Sequence, residues 1–233
     1  MSRERHLAYM TVDLVILTVR GGKLQVVLVR RGKPPFEGQL ALPGGYLEGE
    51  ETLDETALRE LREETGLDGT RLHLEQLHTY SDPKRDPRGR VITTAYLALV
   101  PELERLVAGS DACEALLMPV DDALSGDLLA FDHSMILRDA RERARWKLEY
   151  TTVAAAFCKE PFTVSDLRRV YEVIWGFELD PSNFRRKVTK MDGFLEATGQ
   201  VTDSRRGRPA ALYRRGPAEL LTLPLLRART QRL

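Results

Sequence analysis

Residues 45–67 read GYLEGEETLDETALRELREETGL, and three carboxylates in this stretch, Glu60, Glu63 and Glu64, stand at i, i+3 and i+4. On a helix that spacing gathers them on one face, where like charges repel unless a cation stands among them. A hard divalent ion, Mg2+ or Mn2+, suits such oxygen donors and usually shares its coordination with substrate phosphates. Arg59 can hold carboxylates in place through the parallel N–H groups of its guanidinium. At Gly44-Gly45 the absence of a side chain lets a backbone carbonyl approach an ion. The metal-ligand candidates are therefore Gly45, Glu60, Glu63 and Glu64, and the catalytic candidates are Glu63, Glu64 and Arg59. Attack of a metal-activated water on phosphorus is the reaction such a set supports.

The elements that must position these groups are legible around them. Two apolar, β-branched runs at 12–19 and 24–29 flank Gly21-Gly22, a hairpin signal, and the loop Arg30-Arg31-Gly32-Lys33-Pro34-Pro35 follows the second. A helix is expected over 53–64, stopped by Gly66, with Leu53, Leu58 and Leu61 anchoring it to a sheet. A strand over 91–100 follows the turn-rich 82–90, and 134–147 reads as a further helix. Strands arriving as hairpins among helices predict an α/β domain with a mixed sheet. His133 is read as a structural residue at a helix start in preference to a ligand contact. Asp111 and Glu114 are the nearest acidic residues that a later loop could add.

The chain has 233 residues with 35 Lys+Arg and 35 Asp+Glu, a neutral total that hides an opposition. Residues 1–160 hold 21 basic and 27 acidic side chains, a balance of −6, while residues 161–233 hold 14 and 8, a balance of +6. Such asymmetry predicts two domains with different partners, one of them polyanionic. No run approaches the roughly 20 apolar residues of a membrane helix, and the start MSRERHLAYM lacks a signal-peptide pattern. No membrane partner and a cytoplasmic location are expected. Cys113 and Cys158 form no CxxC pair, which argues against a disulfide scaffold or a zinc knuckle.

The basic part has the order of a winged helix. A helix is expected over 148–158, a second opening at Thr163 with Asp166 three residues on and ending before Gly176, and a third opening at Asp180-Pro181. In the third, Phe184, Val188 and Met191 make a buried stripe, leaving Asn183, Arg185, Arg186, Lys187 and Lys190 to face a major groove. Two short strands joined by a basic loop then form a wing, adding Arg205, Arg206, Arg208 and Arg214 as DNA-contact candidates.

Gly45, Glu51, Arg59, Glu60, Leu61, Glu63, Glu64, Gly66 and Leu67 fill every specified position of the pattern G-x5-E-x7-R-E-U-x-E-E-x-G-U, where U is a bulky aliphatic, and the segment resembles the Nudix box. Asp86-Pro87-Arg88-Gly89-Arg90-Val91 is similar to the ADP-ribose-type branch of that family. The resemblance implies an N-terminal Nudix αβα sandwich over 1–147 that binds ADP-ribose or a related nucleotide, followed by a C-terminal winged helix-turn-helix (α+β) over 148–233. Through NFRRKVTKMDGFLEATGQ and RRGRPAALYRR the whole chain resembles the Nudix-related transcriptional regulators of NAD metabolism, of NrtR type. That likeness implies a homodimeric repressor on a palindromic double-stranded DNA operator. The unmismatched box keeps open a second reading, a Mg2+-dependent pyrophosphatase that splits ADP-ribose into AMP and ribose 5-phosphate.

Overall fold

A computed structural model describes residues 7–66, 69, 72–100, 103, 112–202 and 209–227. The chain divides into two compact units, Met1–Leu17 with Gln25–Ala140 and Thr18–Leu24 with Arg141–Leu233.

The first unit is built on a seven-stranded mixed sheet. Strands β1 (Tyr9–Arg20) and β2 (Lys23–Arg31) are joined by Gly21 and Gly22 at φ 60° and 73°, the left-handed pair that a two-residue hairpin turn requires. Strands β3 (Leu40–Ala41) and β4 (Gly44–Tyr46) pair antiparallel with β2 and β1, respectively. Helix α1 (Leu53–Thr65) separates them from β5 (His73–Tyr80) and β6 (Val91–Leu99). Strand β6 lies parallel to β1, from Tyr9 opposite Val91 to Leu17 opposite Leu99, and carries β5 on its other edge. Strand β7 (Ala112–Pro119) pairs antiparallel with β2 and is followed by the short α2 (Val120–Ala123).

Helix α1 is fixed at both ends. Thr52 and Glu55 form a reciprocal capping box, and Gly66, left-handed at φ 71°, donates its N–H to the Arg62 carbonyl. Its Ala57 and Leu61 are buried against Val12, Leu14 and Ile16 of β1 and Tyr96 and Ala98 of β6. Each large aliphatic side chain buried in this way contributes about 1.5–3 kcal/mol. Helix α3 (His133–Tyr150) buries Ile136, Leu137 and Ala140, and Asp139 accepts a 2.7 Å hydrogen bond from the Tyr80 hydroxyl of β5.

In the second unit the expected separate helix over 148–158 does not form. Helix α3 runs on to Tyr150, the chain turns at Thr151 and Thr152, and Val153–Phe157 makes a 3-10 segment. Thr151 keeps its helical bond to the Lys147 carbonyl, and the chain leaves the helix at Thr152, whose N–H donates to the Glu219 carbonyl and whose hydroxyl donates to that of Ala218. Strand β8 (Phe162–Thr163) leads into α4 (Val164–Trp175), where Thr163 and Asp166 form the expected capping box and Gly176 the left-handed stop. Helix α5 (Pro181–Val188) packs on α4 through Phe184, whose ring centroid lies 5.2 Å from that of Tyr171. Strands β9 (Leu195–Val201) and β10 (Ala211–Arg215) pair antiparallel, and β10 also pairs with β8. Among the described residues no helix is long and apolar enough to cross a membrane.

Candidate functional site

The carboxylates of α1 do not share one environment. Glu60 and Glu64 are buried while Glu63 keeps about half its side chain in solvent, at 47% exposure. The cation among them is the protein's own. Arg59 donates through Nε and Nη2 to both oxygens of Glu51, at 2.9 and 3.1 Å, and through Nη1 to Glu60 at 2.8 Å, with Glu63 at 3.5 Å. Its bidentate fork thus goes to Glu51, and Glu60 receives a single bond. Hydrogen bonding from Arg59 holds the Glu51 carboxyl at about 2. Burial pushes Glu60 above the usual carboxylate range, against the pull of Arg59.

Gly45 sits where Glu60 arrives: a Cβ at that position would stand 2.1 Å from Glu60 Oε1, so the approach of carboxylate to backbone requires glycine. Among the described residues no group of three or more His, Cys, Asp or Glu converges in ion-binding geometry. The donor set nevertheless fits a hard divalent cation. It offers oxygen ligands only, with two carboxylates withdrawn from bulk water beside a side-chain-free backbone.

These groups form one wall of a cavity of about 360 Å3. The rest of its lining includes residues that sequence reasoning passed over: Asp13 of β1, Arg31 of β2, Arg85, and Phe131 before α3. Arg85 is buried and binds Asp132 through two parallel bonds of 2.9 and 2.8 Å, with a third to Asp13 at 3.3 Å. Burial opposes its charge, but the Asp132 bonds and the Asp13 charge outweigh this and raise its pKa. His133 is a structural residue, as expected, and something more. Its Nδ1 accepts the Leu42 N–H at 2.9 Å, which places the proton of the neutral ring on Nε2, 3.6 Å from Asp13. It also lines the cavity.

Burial lowers the His133 pKa. In the unfolded chain the ring protonates below about pH 6.5, whereas the folded ring resists protonation, so stability falls as pH drops from about 6.5 toward the depressed folded value. Each pH unit in that window costs up to about 1.4 kcal/mol. Thermal melting at pH 7.5 and 5.5 is expected to show this loss in the wild type and a smaller one in His133→Asn. Equal pH dependence in the two proteins would rule it out.

At the cavity mouth the segment 82–90 turns back on itself. Asp86 is buried and accepts from Arg88 Nε and Nη2, with the shortest contact at 2.6 Å. The Arg88 guanidinium lies 5.5 Å from the Phe131 ring centroid and 5.9 Å from that of Tyr46, and Arg31 lies 4.7 Å from Phe131. Phe131 and Phe36 both adopt left-handed backbone, at φ 54° and 63°, and their rings meet edge to face at 4.8 Å. For a bulky residue that conformation costs about 1–2 kcal/mol. Glu114 does not join this site. It lies on β7, not in a loop, and pairs at the surface with Arg30 at 3.4 Å; Asp111 falls outside the described residues.

In the second unit α5 carries the basic candidates. Asp180 caps it by accepting from the Asn183 N–H at 2.7 Å, and Pro181 occupies its first turn. Phe184 and Val188 face inward; Met191 is also buried but lies past the helix end, where the Thr189 hydroxyl takes the Arg185 carbonyl. Asn183, Arg185, Arg186, Lys187 and Lys190 are exposed. Asn183 Oδ1 orients Arg186 through a 2.7 Å bond from Nη2. Arg214 is exposed on β10, whereas Arg205, Arg206 and Arg208 lie outside the described residues. Burial pushes the Cys158 thiol up to about 12, which disfavours the nucleophilic thiolate.

Residues 9–139 match the NUDIX domain family, and residues 154–215 match the NrtR DNA-binding winged helix domain. An ADPR responsive transcriptional repressor NtrR of Acinetobacter baylyi is 37% identical over 209 residues, covering 88% of this chain and 81% of that one. Shewanella oneidensis NrtR complexed with a 27mer DNA superposes with a TM-score of 0.79 at 34% identity, covering 93% of this chain and 99% of that one. Its NUDIX domain complexed with ADP ribose matches with a TM-score of 0.55 at 34% identity, covering 60% and 90%. An ADP-ribose pyrophosphatase of Methanocaldococcus jannaschii is 42% identical over 123 residues, 53% of this chain and 68% of that one. With a carboxylate-lined cavity in one unit and an exposed basic helix in the other, the chain belongs to the NUDIX family, in the NrtR group that joins the NUDIX domain to a DNA-binding winged helix.

Proposed function

We propose that this protein is an ADP-ribose-responsive transcriptional repressor of genes of NAD metabolism. The observation that carries the reading is the joining, in one chain, of a phosphate-suited cavity with a capped helix that exposes Asn183, Arg185, Arg186, Lys187 and Lys190. The helix would enter the major groove, and the wing, with Arg205, Arg206, Arg208 and Arg214, would lie against a narrow minor groove. A homodimer reads a palindromic operator whose half-sites lie about 34 Å apart or at multiples of that spacing. Nucleotide bound in the cavity acts by favouring one of two dimer states that differ in DNA affinity. The cytoplasm is its proposed place of action.

Mg2+ or Mn2+ would be held by Glu60, Glu63, Glu64 and the Gly45 carbonyl. The ion would neutralise diphosphate charge and lower the pKa of a bound water. Arg59 keeps the carboxylates grouped, and Glu63 and Glu64 are placed to accept a proton from that water. The burial of Glu60 and Glu64 in a complete box favours a second activity of the same site, slow hydrolysis of ADP-ribose to AMP and ribose 5-phosphate.

A DNA-shift assay with operator fragments from NAD-related genes, repeated with ADP-ribose, NAD, pentoses and Mg2+, tests the regulator. A sequence-selective, salt-sensitive shift that ADP-ribose alters and pentoses leave unchanged is the expected result. A shift indifferent to ADP-ribose, or none at all, would sink the reading.

A further inference from the structure

The exposed polar side chains of α5 are not equivalent. Asp180 at the cap, Asn183 and Arg186 follow one another at intervals of three residues, so they share one face of the helix start. Asp180 Oδ1 accepts the Asn183 N–H at 2.7 Å, and Asn183 Oδ1 accepts Arg186 Nη2, also at 2.7 Å. The second bond has only one possible direction. A guanidinium carries donors alone, so the amide must present its oxygen to it. Among the described residues no side-chain bond orients Arg185, Lys187 or Lys190, which are also exposed.

A guanidinium already held in place loses less rotamer freedom on binding than one that is not. Contact with a phosphate needs charge more than aim, whereas a base edge in the groove needs both. The planar fork of arginine matches the O6 and N7 acceptors of guanine, and the donors not taken by Asn183 stay available for them. Asn183 itself, with its oxygen turned along the helix to Arg186, no longer presents outward the acceptor and donor pair that adenine N6 and N7 require. We propose that Arg186 reads a guanine in each half-site of the operator with Asn183 as its positioning residue, while Arg185, Lys187 and Lys190 contact phosphates. This rests on the DNA-binding reading above and assigns the selectivity of α5 to one pair of side chains.

The test uses the full-length protein and duplex DNA that the wild type selects from a randomised library. Each guanine of the selected site is replaced in turn by 7-deazaguanine, which lacks the N7 acceptor, and every protein is scored by its ratio of affinities for the two DNAs. Such a ratio cancels a general loss of folded protein or of charge attraction. At one guanine per half-site the wild type should prefer the natural base by about fivefold or more, the scale of discrimination of a two-bond pair. The preference should vanish in Arg186→Ala. It should shrink in Asn183→Ala and return in Asn183→Asp, which keeps Oδ1 and drops the amide donors. A preference that survives Arg186→Ala, or that Asn183→Asp does not restore, would overturn the assignment. A wild type indifferent to 7-deazaguanine at every position would overturn it too, while its sequence-selective binding upheld the repressor reading. A wild type that selects no sequence would overturn both.

Discussion

A protein carrying Arg186→Ala and Lys187→Ala together is expected to bind its operator about 100-fold more weakly, because each basic contact to DNA is worth about 1–3 kcal/mol. Both side chains are exposed on α5 and neither fills a core position, so the melting temperature should hold. Where both reach phosphates, the slope of log K against log salt flattens by about two, at roughly 0.9 per contact. Where Arg186 reads a base edge instead, the specific operator loses more than random DNA and the slope changes by about one. Asn183 already fixes the direction of Arg186, which favours the base-edge outcome. ADP-ribose affinity, measured by calorimetry, should be unchanged. Unaltered operator affinity would remove α5 from the DNA interface.

Arg59→Met is expected to destabilise the NUDIX domain by loosening its carboxylate cluster. It deletes the one cation that joins Glu51, Glu60 and Glu63, leaving Glu60 buried with no compensating charge. Breaking a buried ion pair costs roughly 3–5 kcal/mol, and here about 2–3 kcal/mol applies because Arg59 is partly screened by water. For a domain of this size that lowers Tm by roughly 5–10 °C. Millimolar Mg2+ should recover part of the loss, since a divalent ion among the same carboxylates restores the missing charge. Differential scanning calorimetry with Mg2+ and with EDTA measures this without any turnover. A Tm insensitive to Mg2+ in the variant would argue that these carboxylates do not hold the ion.

Much of this site was legible because its grammar is local. The caps of α4 and α5 lie within three residues of their partners, and the carboxylates of α1 are spaced by one turn, so chain order alone places them. What stayed hidden is non-local. Arg85 is one arginine in a turn, and its partners Asp132 and Asp13 stand 47 and 72 residues away. Asp13 interrupts an apolar strand run and is the one local hint that a charge is being buried there for a reason. Strand β5, HLEQLHTY, was missed because its sequence lacks strict alternation and it pairs only through β6. Strand β7 was passed over as a loop carrying acidic residues, which is why Glu114 was assigned to the wrong surroundings. The helix expected over 148–158 failed because apolar spacing continues through Thr151-Thr152, whereas the Thr152 N–H and hydroxyl bond to Glu219 and Ala218, 67 and 66 residues away.

Helix α5 keeps its structural duties apart from its outward ones. Its start is secured by Asp180 and Pro181, and its attachment by Phe184 and Val188. Its exposed side chains include Asn183 and Arg186, joined by a bond that stays within the helix. Operator preference can therefore drift one outward residue at a time without a penalty to folding, so relatives that share this scaffold are free to diverge in the genes they govern. For the same reason, exchanging those outward residues with another repressor's should move its address on the chromosome and leave its chemical sense unaltered.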